Sequence, residues 1–326
     1  MIFCARNILL GGCVITTSII SGFSFNAAMA AGVAPPAQFP DGVSPSNVYA
    51  TMDLVERTAD ALLMSMHRRT PPPPKSFETS LQPMHVYQLA AATASRVHAF
   101  AEAKGVAAPD RIEVAPKKYF PRDVKKLADT MLSELRAAGA KMNVSDLPQT
   151  ESEFAGKTPS DVYQVVMHVF VKASVLVGNA KITPNDVYAE MATAAAVAKS
   201  IVEHTGESFN EDFPKPEPKR KPVDVFNISL EARGQINAVR KAIGLSEISI
   251  NHPVNGYRIR PIDVFVQSQL ILAELNMVKM EIGMTTPAPK PVKVSGKTPT
   301  DVWGQVSLTR HLLSQLHQDK LAAVKD

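Results

Sequence analysis

The chain has 326 residues, of which 45% are apolar and 20% are charged, so its composition is that of a globular protein and not of a disordered or fibrous one. Its 35 Lys and Arg residues against 31 Asp and Glu residues give a formal charge of +4, which does not indicate nucleic-acid binding. Both cysteines, Cys4 and Cys13, precede residue 14, which excludes a disulfide framework and a cysteine-based zinc site from the rest of the chain.

Residues 1–30 have the pattern of a secretory signal peptide. Arg6 precedes an apolar stretch that runs to Phe25, and residues 28–30 read Ala-Met-Ala, a cleavage pattern of small residues. We therefore expect the mature chain to begin at Ala31 and to be exported to a bacterial periplasm. A lipid anchor at Cys13 is the alternative, but the apolar stretch continues past that cysteine. After signal removal no stretch has the roughly 18–20 apolar residues of a transmembrane segment.

A motif of the form Pro-x-Asp-Val-aromatic recurs eight times after the signal. Its prolines are Pro45, Pro83, Pro121, Pro159, Pro184, Pro222, Pro261 and Pro299. Successive prolines lie 38, 38, 38, 25, 38, 39 and 38 residues apart, and the short step divides them into two sets of four. Because such periods mark repeat architectures, we interpret the chain as a duplicated unit of four repeats.

Each motif predicts the start of a helix. Proline is favoured at the first helical position, and an Asp at the third position caps the helix and faces its positive end. The valine and the aromatic residue begin an apolar stripe, in which we expect the aromatic residue to serve packing and not ligand binding. The valines are Val48, Val86, Val124, Val162, Val187, Val225, Val264 and Val302. The aspartates are Asp123, Asp161, Asp186, Asp224, Asp263 and Asp301, and the aromatic residues are Tyr49, Tyr87, Tyr163, Tyr188, Phe226, Phe265 and Trp303.

The sequence therefore predicts an all-α fold. Glycines that follow six of the eight prolines by 18 to 22 residues, Gly139 and Gly178 among them, predict helix ends. We expect eight helices from a 38-residue repeat with long proline-rich linkers, arranged as two duplicated four-helix units related by pseudo-twofold symmetry. Residues 31–43 form the N-terminal linker, residues 44–180 the first unit and residues 181–326 the second.

The linkers limit how these helices can pack. Most contain about 15 residues, long enough to return along a helix, which favours parallel helices within a unit over an up-and-down bundle. Only residues 179–183 separate Gly178 from Pro184, so there we expect an antiparallel hairpin. The proline-rich stretches at residues 71–74, 214–222 and 287–291 favour stiff spacers, with recognition strips as the alternative.

The sequence offers no site of chemistry. Gly-Lys-Thr at residues 156–158 and 296–298 ends like a phosphate-binding loop, but the upstream glycine is absent and the threonine precedes a helix-starting proline. The eight histidines include no local ligand pair, although a haem or metal held between helices by His and Met remains an alternative. We therefore predict no catalytic, cofactor-binding or metal-binding residues.

The departures from the motif give the remaining functional signal. Asn47 and His85 replace the aspartate and Lys125 replaces the aromatic residue, so these positions are candidates for contact with a partner. We expect a non-enzymatic cell-envelope helical-repeat scaffold or interaction protein that binds a protein partner or itself, and not nucleic acid. The alternative is a periplasmic small-ligand-binding or sensor protein. A deep apolar cleft between the halves would favour that alternative, and a filled seam would favour the scaffold.

Overall fold

A computed structural model describes residues 42–75, 77–107, 112–179, 181–208, 210, 212–213 and 216–324. The signal peptide, nearly all of the N-terminal linker and both cysteines lie outside the described residues. Within them the chain forms nine helices and no strand, which confirms the all-α fold. The helices are α1 (Pro45–Ser65), α2 (Pro83–Ala103), α3 (Pro121–Lys141), α4 (Pro159–Leu176), α5 (Pro184–His204), α6 (Pro222–Ala242), α7 (Pro261–Glu281), α8 (Pro299–Ser314) and α9 (Gln318–Ala323).

All eight predicted helices begin at the motif proline. At each start the side chain of the third helical residue accepts a hydrogen bond from the backbone N–H of the cap residue, as in the 2.8 Å contact from Thr158 N to Asp161 Oδ2. Asn47 does so through Oδ1 and His85 through Nδ1. The motif is therefore confirmed as a helix start, and the two departures from aspartate still cap their helices.

The helix ends follow the glycine prediction with one exception. Gly105 and Gly178, for example, have φ of 73° and 85° just beyond α2 and α4, a conformation that favours glycine. Gly139 instead lies inside α3, which continues to Lys141. A Cβ at Gly139 would lie 2.6 Å from Leu147 Cδ1, so this glycine allows the following linker to approach the helix closely.

Each unit is a bundle of four parallel helices. In unit 1 (α1–α4), α1 and α2 each pack against both α3 and α4, and in unit 2 (α5–α9), α5 and α6 each pack against both α7 and α8. The four N-terminal ends meet at one end of each bundle, where the motif prolines and valines surround a cavity of about 20 Å³. The linkers therefore return along the bundles, and the predicted parallel order is confirmed.

The predicted antiparallel hairpin between α4 and α5 is wrong. These two helices do not pack against each other within the described residues. Because all helices of a bundle point the same way, the short connection leads from the C-terminal end of unit 1 to the N-terminal end of unit 2. The position of α5 is instead set by its packing against α7 and α8 of its own unit.

The two units meet through α2 and α7, which run antiparallel. His85 near the start of α2 lies 3.8 Å from Glu274 in the second half of α7, and Gln88 Nε2 donates to Gln269 Oε1 at 3.1 Å. These helices are not copies of each other, and their copies, α6 and α3, make no packing contact in the described structure. The predicted pseudo-twofold relation is therefore not found at this interface, where one face of unit 1 contacts a different face of unit 2.

The last helix, α9, was not predicted. It packs against α6, and its Leu321 is buried in the core of unit 2. Among the helices in the described ranges, none combines the length and the apolar character needed to cross a membrane.

Candidate functional site

The repeated valines and aspartates serve the fold. Every motif valine is at most 3% exposed and packs in the layer that closes the N-terminal end of its bundle. The aspartates accept hydrogen bonds from their cap residues. Hydrogen bonds from Thr158 hold the pKa of Asp161 below its usual value, and Thr298 does the same for Asp301. Four parallel helix dipoles meet at each of these ends, and ionised aspartates offset their positive charge.

The repeated aromatic residues divide into two groups. Some hold linkers against the bundles: Lys157 Nζ lies 4.3 Å from the ring centre of Tyr49, and Lys297 makes the same contact with Tyr188 in unit 2. Tyr87 stacks on Tyr119 of the next linker, with ring centroids 4.0 Å apart. Trp303 lies under Arg220. The second group lies in the core, at most 3% exposed, and consists of Tyr163, Phe226 and Phe265.

These contacts also account for two other sequence patterns. The lysines of both Gly-Lys-Thr sequences lie over tyrosines, and the threonines cap α4 and α8. Prolines of the 71–74 stretch accept hydrogen bonds through their backbone oxygens, Pro72 from Arg260, the cap residue before α7, and Pro74 from Gln164 of α4. That stretch therefore acts as a fixed spacer. The proline-rich stretch at 214–222 is only partly described.

The three departures from the motif lie in different environments. Asn47 caps α1, and Lys125 forms a surface ion pair with Asp129 at 2.9 Å. His85 is fully buried and faces Glu274 of the other unit. An aspartate at that place would put another carboxylate beside Glu274, which explains the change. His85 therefore contacts the second half of its own chain.

The core of the contact between the units is an aromatic stack. Phe265 of α7 enters the groove between α2 and α4, which we call the inner groove, and stacks on Phe170 with centroids 4.8 Å apart. The guanidinium of Arg96 lies 4.6 Å from the centre of the Phe170 ring. Val266 and Leu270 of α7 are buried in the core of unit 1. The seam along α2 and α7 is therefore filled by side chains from both units.

A buried ionic cluster lies beside this stack. Arg233 of α6 is fully buried, donates to Glu274 at 2.8 Å and also pairs with Glu78 of the α1–α2 linker. Burial alone would raise the pKa of Glu274, but Arg233 and His85 outweigh it and hold that pKa below its usual value. The buried Tyr163 lies near the cluster, and its hydroxyl has no hydrogen-bond partner within the described residues. The cluster joins the two units at a point where water has no access.

A cleft of about 640 Å³ opens beside the seam, between α2, α5 and α7. Its lining carries one cation, Arg96, and three carboxylates, Glu102, Asp186 and Glu190. Burial lowers the pKa of Arg96, and the nearby Asp186, 3.8 Å away, opposes that effect. The cleft lies between the halves, but its lining mixes apolar side chains such as Ile112 and Val114 with charged ones and is not the purely apolar lining that would favour the ligand-binding alternative.

One buried histidine also lines this cleft. His98 bonds through Nδ1 to Glu134 of α3, and its Nε2 has no partner in the described part of the chain. The described residues contain no group of three or more His, Cys, Asp or Glu side chains that could hold a metal ion.

The duplication places a second groove, between α6 and α8, at the position that corresponds to the inner groove. We call it the outer groove; it has a volume of about 490 Å³ and is lined by Glu231, Gly234, Gln235, Arg310 and His311, with two serines of α8. Arg310 crosses it to pair with Glu231. Unlike the inner groove, it holds none of the helices that the structure describes.

Sequence reasoning missed Arg233, Glu78, Glu274 and Phe170. A comparison of the two copies reveals two of these residues as unlike their counterparts. Arg233 corresponds to Ala94 in α2, and Phe170 corresponds to Arg310 in α8. Such replacements within a duplicated stripe mark the faces where one unit meets the other.

Comparison of the chain with known protein families, with curated proteins and with solved structures finds no match in any of the three.

Proposed function

We propose that the protein is a non-enzymatic cell-envelope scaffold that presents a fixed helical surface to a protein partner or to other copies of itself. The observation that carries this proposal is the outer groove. Its copy, the inner groove, binds helix α7 within the same chain, so the groove between these two helices has a geometry that accepts a helix. In unit 2 the same geometry is open to the outside.

The rigidity of the chain supports the same proposal. The buried pairs of Arg233 with Glu78 and Glu274 fix one unit against the other. Contacts such as Lys157 on Tyr49 fix the linkers against the helices. A surface that is ordered before binding loses little conformational entropy when a partner arrives.

Site-specific photo-crosslinking in intact cells of the source organism tests this function. A photoreactive amino acid replaces Gln235 in the outer groove, and the matched control carries it at Met64, which is 77% exposed at the end of α1. We expect one discrete adduct from position 235 and none from position 64. No adduct at position 235, or equal labelling at both positions, would contradict a role for the groove.

The proposed location rests on residues 1–30. We expect the mature chain to start at Ala31 and to be recovered in the periplasmic fraction. Amino-terminal sequencing of that fraction tests this directly. A lipid on Cys13, or a chain that retains residues 1–30 in the cytoplasm, would contradict the proposed location.

A small-ligand binder is the second candidate, and the cleft between the units favours it. A volume of about 640 Å³ lies in the range of small-molecule sites, roughly 300–1,000 Å³. Three carboxylates against one guanidinium favour a small cationic amine. Native mass spectrometry with a diamine such as putrescine tests this candidate. We expect a stoichiometric adduct that Glu190→Gln weakens, and equal binding by the variant would contradict it.

A further inference from the structure

We propose that charged side chains prevent a further unit from docking onto this chain in the way that unit 2 docks onto unit 1. The outer groove and the exposed face of α3 are the two halves of another contact between units, and Lys125, Lys126 and Arg310 prevent a second copy of the chain from completing it. This inference rests on the duplication and not on the proposed scaffold function; it excludes only the α3 face of a second copy from the outer groove, and the groove stays open to the partner proposed above.

The contact inside the chain shows what such docking requires. Phe265, Val266 and Leu270 of α7 are at most 8% exposed and are covered by unit 1. They meet Ala92 and Phe170 in the inner groove. Burial of side chains of this size supplies most of the stability of an interface.

The copy of this face on α3 is polar. Subtracting 140 from the positions on α7 gives Lys125, Lys126 and Thr130 in place of the three apolar residues. Lys125 forms its ion pair with Asp129 of the same helix, and Lys126 is exposed. An α3 face with these side chains would have to remove two ammonium groups from water in order to dock.

The copy of the inner groove is polar at matching places. Adding 139 or 140 to the positions of Ala92 and Phe170 gives Glu231 and Arg310. If a second copy docked its α3 as α7 docks, Lys125 would face Arg310 where Phe265 now faces Phe170. Two cations would replace an aromatic stack, and docking would also take their partners Glu231 and Asp129 out of water. Repulsion between the cations and desolvation of both ion pairs therefore oppose the contact.

The remaining positions still fit an interface between units. Met84, buried by α7, corresponds to Val223, one of the few large apolar side chains exposed on the surface. Its neighbours Ala273 and Met277 correspond to Ser133 and Ala137, which are small. These positions carry neither charge nor a bulky side chain, so the charged positions are the ones that oppose the contact.

Two variants that transplant the inner contact onto the outer faces test this inference. The face variant is Lys125→Phe, Lys126→Val and Thr130→Leu, and the groove variant is Glu231→Ala and Arg310→Phe. In light scattering after size-exclusion chromatography, wild type and each variant alone are expected to have the mass of one chain. An equimolar mixture is expected to double that mass, because each pair of chains offers only one complementary contact. All five substitutions in one chain are expected to give longer, concentration-dependent oligomers, since a heterologous contact repeats.

Disulfide trapping tests the geometry. Asp129→Cys in the face variant and Asn227→Cys in the groove variant correspond to Gln269 and Gln88, whose side chains are hydrogen-bonded in the chain. We expect these two to form a disulfide-linked pair, and a cysteine at Lys320 in place of position 227 serves as the control. A mixture that stays monomeric, although both variants keep the helical circular dichroism and melting temperature of the wild type, would overturn the inference. Wild-type chains that already associate through these faces would also overturn it.

Discussion

Helices α3 and α7 are copies of one helix in two copies of one unit, yet they are buried very differently. In α7 every residue from 263 to 279 is buried, because α2 of unit 1 covers the side that its own bundle leaves open. In α3 the corresponding side faces solvent and carries Lys125, Lys126 and Asp129. The same helix start and length therefore support two surfaces, and the neighbour of the helix decides which side chains it carries.

The same difference separates α2 from α6. In α2, Met84, His85 and Gln88 are buried against the other unit. Their counterparts in α6 are Val223, Asp224 and Asn227, of which the first and the last are exposed. The duplication supplied the bundle twice, and the contact between the bundles accounts for the differences at these positions.

The largest loss of stability is expected from a substitution that gives α7 a side chain of α3. Phe265→Lys removes the stack on Phe170 and places an ammonium group in a buried site beside Arg96, so we expect a loss of about 4 kcal/mol or more in the free energy of unfolding. The reverse change, Lys125→Phe, lies on the open face and is expected to change stability by less than about 0.5 kcal/mol. Urea unfolding measures both, and similar values for the two would contradict the asymmetry.

A slightly smaller effect is expected at the buried ionic cluster. Arg233→Met leaves two carboxylates, Glu78 and Glu274, without their shared cation, which costs about 3–5 kcal/mol for a broken buried pair. The half-exposed pair in the outer groove is the matched control, and Arg310→Ala is expected to cost less than about 1 kcal/mol. Adding Glu78→Gln and Glu274→Gln to Arg233→Met is expected to restore part of the loss. No recovery would show that the charge of the cluster is not what the arginine balances.

Local features of the fold were predictable because the residues that determine them recur at fixed places in the repeat. The proline and the third-position acceptor fix every helix start, and they do so even in α4, whose many valines would suit a strand. The linker length also gave the parallel order, since about 15 residues are needed to return along a helix. The glycine prediction failed at Gly139, because this residue allows Leu147 to approach α3 closely and does not mark the end of the helix.

The contact between the units could not be predicted, because it joins positions far apart in the chain. Nothing local to Glu78 or Arg233 shows that they meet. His85 was singled out correctly as a departure, but its spacing could not show that it faces Glu274 of the same chain. The outer groove, which was not predicted, and the charged groups of the cleft follow from how the bundles pack, which no single repeat encodes.

Where the two units are alike, we expect equal losses of stability from equivalent substitutions, smaller than those at the contact between the units. Val162 and Val302 occupy the same place in the two bundle ends and are each 2% exposed. Truncation of either to alanine removes two methyl groups from a packed layer and is expected to cost about 2 kcal/mol. Thermal unfolding monitored by circular dichroism compares them, and a large difference would show that the two ends are not equivalent.

The smallest effect on stability is expected at the third helical position, where Asn47 of α1 and Asp161 of α4 differ only in charge. The hydrogen bonds that lower the pKa of Asp161 stabilise its charged form in the folded state. Its contribution is therefore present above the unfolded pKa of about 3.9 and is lost as the pH falls through the lower folded-state value. Asp161→Asn keeps a capping oxygen, as Asn47 shows with its 2.9 Å bond from Ser44 N, and is expected to cost about 0.3–1 kcal/mol at neutral pH.

That variant should also flatten the loss of stability below pH 4, whereas Asn47→Asp should steepen it. Melting temperatures of the two variants and the wild type from pH 7 to pH 2 make the comparison. Equal acid profiles for all three would mean that the hydrogen bond alone, and not the carboxylate charge, opposes the four aligned helix dipoles at each bundle end.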